Sequence, residues 1–252
     1  MERFDSSDPS KQEFSLYQEY SLTNPGKKVI LDSAMKAERF ENLRLRGFLF
    51  WKNMESLRDY FDRHASSWDE MLKYEERTSQ VSEVMKWFEL AEGDSVLDVG
   101  TGTGILLPRI RQTIGPKGML IGFDFSFKMI KKARHRECSG ERILIHATVE
   151  SLPFQSERFD QIICFSTFPH FPNKAKALFE MVRVLKSGGD LSIAHPKSVE
   201  ELNQFHQHLG GPVAHDLLPH PERVRSLMVE SGLFEIKIIN QPGKFLAQGR
   251  KI

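Results

Sequence analysis

Asp98-Val99-Gly100-Thr101-Gly102-Thr103-Gly104 sets one carboxylate two residues ahead of three alternating glycines. Glycine has no Cβ, so such a run turns sharply and lets a ligand press against the main chain. Ile105 opens a fresh apolar run, and the N–H groups of a helix starting there are donors for a polar or anionic group. The dinucleotide fingerprint G-x-G-x-x-G/A fails in both registers, since its last place falls on Ile105 or Leu107. No G-x-x-x-x-G-K-[ST] phosphate loop is present. A glycine-rich turn without a ligand remains the plain alternative. A second set of chemical groups lies further on. Five of the nine histidines fall in 195–220: His195, His206, His208, His215 and His220, and His170 precedes them. An unperturbed imidazole titrates near ~6.5 and can take a proton around neutrality.

These groups need a scaffold, and the apolar pattern supplies one. Val96 to Val99 reads as a buried strand, and Ile105 to Ile114 as a helix with Pro108 in its first turns, where a missing N–H costs little. Met119 to Phe123 is a second strand, ending at Asp124. An acidic residue at that tip can accept both hydroxyls of a ribose, or instead cap the helix Ser126 to Arg136. Ile143 to Ala147 is the third strand and Phe159 to Phe165 the fourth, followed by an aromatic loop, Ser166 to Pro172. A helix from Ala175 to Leu185 meets a glycine stop at Lys186 to Gly189, and Leu191 to Ala194 is the fifth strand. Pro221 to Ser231 is a last helix. Phe234 to Ile239 and Lys244 to Gly249 are strands joined through Gln241-Pro242-Gly243. The expected fold is α/β: a Rossmann-like, doubly wound, mostly parallel sheet closed by an antiparallel C-terminal strand, with an N-terminal helical extension.

Ahead of the first strand, Leu57, Tyr60, Phe61, His64 and Trp68 follow helical spacing, as do Val81, Val84, Met85 and Phe88 in a helix from about Thr78 to Leu90. Residues 1–56 read as an N-terminal extension and 57–252 as the main domain. The basic-aromatic stretch Arg44 to Trp51 could touch a membrane surface or a partner, or pack as a helix. The formal charge of +1 gives no support for nucleic-acid binding by bulk electrostatics. Two cysteines without C-x-x-C give neither a disulfide framework nor a zinc or redox motif. Met1 to Asp5 lacks the order of a signal peptide and no apolar run spans a bilayer, so a cytoplasmic protein with no integral membrane segment is expected.

Several separated motifs, in order, resemble class I S-adenosylmethionine (SAM) dependent methyltransferases, of the broad group that includes quinone-biosynthesis methyltransferases. They are the D-x-G-x-G-x-G run, Asp124, Glu150-Ser151-Leu152-Pro153-Phe154, and Arg183-Val184-Leu185-Lys186-Ser187-Gly188-Gly189, similar to R-V-L-K-P-G-G with Ser187 in place of proline. The helix Tyr60 to Asp69 looks like the one that helps cover the cofactor. The resemblance covers 57–252 and is strongest over 93–194. It implies SAM as cofactor, held by Asp98, Gly100, Thr101, Gly102, Gly104, Asp124, Phe125, Thr148, Val149, Glu150, Cys164 and Phe165. Thr148 stands where the family often has Asp or Asn, and a hydroxyl accepts more weakly than a carboxylate. His170 falls where related enzymes often carry a histidine.

The implied activity is methyl transfer to a small-molecule acceptor. The catalytic candidates are His170, His195 and His206, with 195–220 as a substrate lid. No metal is expected: on a helix His206 and His208 face nearly opposite ways, and Val199, Leu202, Phe205 and Leu209 define the buried side. Solvated histidines are the plain alternative. Two other functions stay open: a SAM-binding protein that has lost catalysis and docks a partner, and a nicotinamide-dependent oxidoreductase. The missing third fingerprint glycine weighs against the latter.

Overall fold

The computed structural model describes residues 57–72 and 78–252, all within the second of the two units into which the chain divides, Phe50–Ile252. The expected boundary at 56 and the basic-aromatic stretch at 44–51 lie outside the described residues. Helix α1 covers 57–64, and α2 (Trp68–Met71) follows a three-residue turn. The single helix expected through Trp68 is therefore two. Helix α3 (Thr78–Met85) stops short of Leu90 and leads into β1 (Ser95–Val99). Then come α4 (Leu107–Ile114), β2 (Met119–Asp124), α5 (Phe127–His135), β3 (Ile143–His146) and β4 (Phe159–Phe165). A 3₁₀ turn (Phe168–His170) precedes α6 (Lys174–Val184) and β5 (Leu185–His195). Helix α7 (Val199–Leu209), a second 3₁₀ turn (Gly211–His215), α8 (Pro221–Glu230), β6 (Leu233–Gln241) and β7 (Lys244–Lys251) complete the chain.

The seven strands form one sheet in the order β3-β2-β1-β4-β5-β7-β6. Strands β1 to β5 pair in parallel, and β7 runs antiparallel to both β5 and β6. This is the expected architecture. Alternation along the central strands feeds two layers: Leu97, Val99, Ile162 and Cys164 enter one core, Val96, Ile163 and Phe165 the other. Ile110 and Ile114 of α4 are fully buried on the second layer, each such side chain adding about 1.5–3 kcal/mol. Asp98 is level with Gly122 of β2 and Ile163 of β4. Strand order reverses between β1 and β4, and a crevice opens beyond their carboxyl ends.

The glycine stop expected at 186–189 is absent. Helix α6 ends at Val184, Leu185 is already extended (φ −73°, ψ 136°), and β5 begins at once. Pairing with β4 jumps from Phe159–Leu185 to Gln161–Asp190, so the glycines lie in an irregularity of the strand. Packing decides this: a Cβ on Gly189 would stand 2.7 Å from the carbonyl oxygen of Asp160. At the far edge, Pro242-Gly243 joins β6 to β7, with Gln241 opposite Lys244 and Gly243 at φ +74°, as a type II turn requires.

Candidate functional site

The first glycine turn leaves β1 with Gly100, Gly102 and Gly104 at φ of +68°, +54° and +79°. Each plays a different part. A Cβ on Gly100 would lie 2.4 Å from Thr167 Oγ1, so Gly100 lets the loops after β1 and β4 meet. At Gly102 nothing lies within 4 Å of that position, and the turn faces open space there. Gly104 packs against Leu107 and Ala133, joining the turn to α4 and α5, and does not line the cavity.

Two buried carboxylates hold the turn. Asp98 accepts from Thr101 Oγ1 at 2.6 Å. Asp124 accepts from the backbone N–H of Gly102 at 2.9 Å and of Ser126 at 2.8 Å. The N-cap of α5 is instead Ser126, whose hydroxyl accepts from the N–H of Met129. Burial pushes the Asp98 carboxyl up to about 7, against the Thr101 hydrogen bond that lowers it and with repulsion from Asp124 adding to the rise. Burial likewise raises Asp124 to about 6, opposed by its two backbone donors.

Both carboxylates open onto a cavity of about 280 Å³ that Gly100, Thr101, Gly102, Phe125 and Phe165 also line. Tyr60, Phe61 and Trp68 of the first two helices form one wall, and Lys197, Phe205, Leu209 and Val213 from 195–220 form another. Leu209, read as buried, is 39% exposed and faces this space. Carboxylates latch the first wall in place. Asp62 accepts from the Ser126 hydroxyl and the Lys128 N–H. Asp69 pairs with Arg136 and accepts from Thr103 Oγ1, while Arg136 Nε donates to the Thr103 carbonyl at 2.8 Å. The Asp69 and Arg136 side chains are only 18% and 23% exposed. Arg136→Ala is accordingly expected to cost about 1–2 kcal/mol of wall contact and to weaken binding at the glycine turn about 5–30-fold by calorimetry. An unchanged affinity would detach the latch from the site.

Other expected cofactor residues stand off the cavity lining. Val149 is in the core and Cys164 is fully buried in β4, its thiol pushed well up by that burial. Thr148 and Glu150 lie in the turn after β3, also off the lining. That segment is tied down from α6: Arg183 donates to the carbonyls of Phe154 and Leu152, and Glu180 accepts from the Leu152 N–H at 2.9 Å.

The histidines divide. After β4 the chain passes through Ser166, a non-glycine residue at φ +55°, into the 3₁₀ turn that presents His170. Such strain persists only where the surroundings over-determine it. Here the Ser166 N–H is held by the Ala194 carbonyl at 2.9 Å. His170 Nδ1 bonds Asp216 Oδ2 at 2.7 Å, and the ring meets Phe61 edge-on and lies 5.0 Å from the His206 ring. His206 Nδ1 bonds the Asp216 carbonyl oxygen, and burial lowers the affinity of that ring for a second proton. Both rings line the cavity. His195 does not: it is 1% exposed beside Phe245, neither ring nitrogen has a partner, and burial pushes it down to about 3. It is neutral at any working pH. His208 is exposed and bonds the Gln204 carbonyl. Among the described residues no group of three or more His, Cys, Asp or Glu is placed to hold a metal ion. Asp216 is the residue that sequence reading missed, because its contact with His170 spans 46 positions and leaves no local pattern.

Residues 90–223 match the family described as "Methyltransferase domain". The demethylmenaquinone methyltransferase of Listeria monocytogenes serotype 4a (strain HCC23) is 31% identical over 144 residues, covering 55% of this chain and 61% of that protein. That of Staphylococcus aureus (strain JH9) is 30% identical over 141 residues, covering 54% and 58%. The chain thus spans about three fifths of the length of these relatives. Among solved structures, a SAM-dependent methyltransferase from Aquifex aeolicus superposes with a TM-score of 0.56 at 24% identity, over 68% of this chain and 89% of that one. A possible histamine N-methyltransferase from Thermotoga maritima gives 0.61 at 20% identity, over 76% and 98%. These structures share the fold. The family match spans more than half of the 252 residues and contains the glycine turn, both buried carboxylates and the His170–Asp216 pair, so the chain belongs to the class I SAM-dependent methyltransferase family.

Proposed function

We propose that this chain transfers the methyl group of SAM to a small-molecule acceptor in the cytoplasm. The observation that carries the reading is one cavity lined both by two buried carboxylates with an open glycine turn and by His170 and His206. SAM, when bound, supplies an electrophilic methyl on a cationic sulfur. The open face at Gly102 and the nearby carboxylates suit such a ligand, since they offer backbone approach, hydroxyl acceptors and negative charge.

Each residue then has a task. Asp98 fixes the turn through Thr101, and Asp124 has lone pairs left for ribose hydroxyls. Phe125 and Phe165 give the cofactor apolar surface, while Val149 lies in the core off the cavity lining. Tyr60, Phe61 and Trp68 exclude water, which strengthens every charge interaction inside. The segment 195–220 covers the acceptor, with His170 and His206 touching it. His195 fills a third place beneath them as a neutral ring. Relatives named for demethylmenaquinone support a small-molecule acceptor. Both cysteines are free, in keeping with a reducing compartment. Among the described residues no helix is long and apolar enough to cross a membrane.

Saturating SAM, at ~100 times its dissociation constant, is expected to stabilise the chain by about 2.7 kcal/mol. In a scan this is a rise of roughly 5–10 °C. Incubation with labelled SAM and candidate acceptors should then give a product heavier by one methyl. Tight SAM binding with no product from any acceptor class would instead favour a protein that binds SAM and has lost catalysis. A rise with NADH and none with SAM would overturn the assignment.

A further inference from the structure

We infer that the acceptor is an aromatic hydroxyl compound, methylated on oxygen, whose proton passes to His170 held in place by Asp216. The inference rests on the methyltransferase reading and adds the chemistry of the acceptor end.

The His170 ring is fixed through one nitrogen. Nδ1 bonds Asp216 Oδ2 at 2.7 Å, and the side chains are 10% and 17% exposed. A carboxylate there keeps the hydrogen on Nδ1 and leaves Nε2 as the acceptor; it also stabilises the imidazolium once a second proton arrives. The turn carrying the ring is braced from below. Lys174 Nζ donates to the carbonyls of Pro169 at 2.8 Å and Phe171 at 3.2 Å. Phe61 and His206 pack against the ring from α1 and α7. The other titratable groups around it are Asp124 on β2, Lys174 on α6, His195 on β5 and His206 on α7. Lys174 is the cation next to Asp216, and its own proton affinity is lowered by burial. Lys174 and Asp216 act as positioning residues, and His170 is the one of the three that lines the cavity and takes the acceptor's proton.

Proton affinity decides which acceptor such a ring can serve. A tyrosine-like phenol, near ~10, releases its proton far more readily than a hydroxyl as weakly acidic as water, near ~15.7, a difference of about 10⁵–10⁶. A single imidazole base suits the first and falls short for the second. An alkylammonium would match a phenol in acidity, but charge separates the two. Lys197 is the only lysine or arginine on the cavity wall among the described residues. It favours a phenolate and repels an ammonium, and the carboxylates of Asp98 and Asp124 on the same lining are offset by the cofactor's own cation when SAM is bound. Phe61, Trp68 and Phe205 give the wall flat apolar faces suited to an aromatic ring. In the step itself the O–H bond breaks and its proton goes to His170 Nε2. The electron pair left on oxygen forms the bond to the methyl carbon. The pair that had joined carbon to sulfur stays on sulfur, leaving a neutral thioether.

The test uses para-nitrophenol, whose phenolate is coloured, bound to the full chain in the presence of S-adenosylhomocysteine. In the wild type the probe should ionise at least about tenfold more readily than in water. Asp216→Asn and His170→Gln should each remove that gain, and His208→Ala should keep it. With SAM and a hydroxyaryl acceptor the new methyl should lie on oxygen, by mass fragmentation and NMR. If Asp216→Asn fails to fold, Asp216→Glu serves in its place: a gain reduced from the wild-type value supports the pair, and an undiminished one overturns it. A probe that stays neutral in the wild type, a gain that survives loss of the Asp216 carboxylate, or a methyl placed on ring carbon or an amine overturns the inference while leaving the methyltransferase reading intact. Failure to bind SAM, measured separately by calorimetry, would remove that reading itself.

Discussion

Gly100→Ala is expected to lower the thermal midpoint by about 5–15 °C and to abolish the further rise with SAM. Two independent penalties add at this one atom. The backbone sits at φ +68°, where a Cβ costs roughly 1–2 kcal/mol. The same Cβ would approach Thr167 Oγ1 to 2.4 Å and its Cβ and Cγ2 to 2.7 Å. Overpacking of that kind typically costs ~1–3 kcal/mol. Relief of either strain pushes the loops after β1 and β4 apart, and those loops carry Thr101 and His170. Thr167→Gly in the same chain removes the clash but leaves the backbone term. The double variant should therefore recover part of the lost midpoint and part of the SAM response. Gly102→Ala serves as comparison. Its backbone is at φ +54° with open space around the added methyl, so it should lose SAM binding with a smaller loss of stability. If Gly100→Ala melts and binds like the wild type, the two loops do not depend on that contact.

The glycine pattern was readable from sequence as a turn, but not the division of labour within it. Spacing makes the three glycines look equivalent; only the packed loops show that Gly100 meets Thr167, Gly102 faces the cavity and Gly104 joins helices. The sheet was legible because buried parallel strands are short apolar runs bounded by turn residues. The stretch Lys186 to Gly189 misled for the converse reason. Glycines after a helix usually mark its end, and here Gly189 relieves a close crossing over Asp160 inside a strand while Gly188 takes a φ of +78°. The histidines show the sharpest limit. Counting along the chain put His170, His195 and His206 near one edge, and the structure brings the His170 and His206 rings to 5.0 Å on the cavity while sealing His195 away from it beside Phe245. What separates a cavity-facing ring from a ring sealed beside Phe245 is burial and the partner at Nδ1. Asp216 supplies that partner from a turn whose sequence carries no sign of it.

Asp98→Asn is expected to stabilise the chain without SAM, by an amount that grows as the pH rises from about 4 to about 7. The sign follows from where the proton is held. Burial raises the Asp98 carboxyl to about 7 in the folded chain, against ~3.9 for a free aspartate. Below pH ~4 both states are protonated and nothing is lost. Between pH ~4 and ~7 the unfolded chain binds fewer protons than the folded one, so stability falls as pH rises. Above ~7 both states are ionised and the loss has reached its full value, on the order of 4 kcal/mol. Asparagine carries no charge to desolvate and can still accept the Thr101 hydroxyl. The variant should thus match the wild type at pH 4 and exceed its midpoint by up to about 10 °C at pH 8. SAM should reverse the ranking. A cationic ligand favours the ionised carboxylate, so wild-type affinity should climb through pH 6–7 as Asp124 and then Asp98 lose their protons. In Asp98→Asn only the part of that climb due to Asp124 should remain. Buried carboxylates kept against their own desolvation are what a site for a cationic cofactor requires, and the variant exchanges that capacity for stability. Equal midpoints at pH 8, or a SAM affinity independent of pH in the wild type, would refute the assignment of this charge to the cofactor.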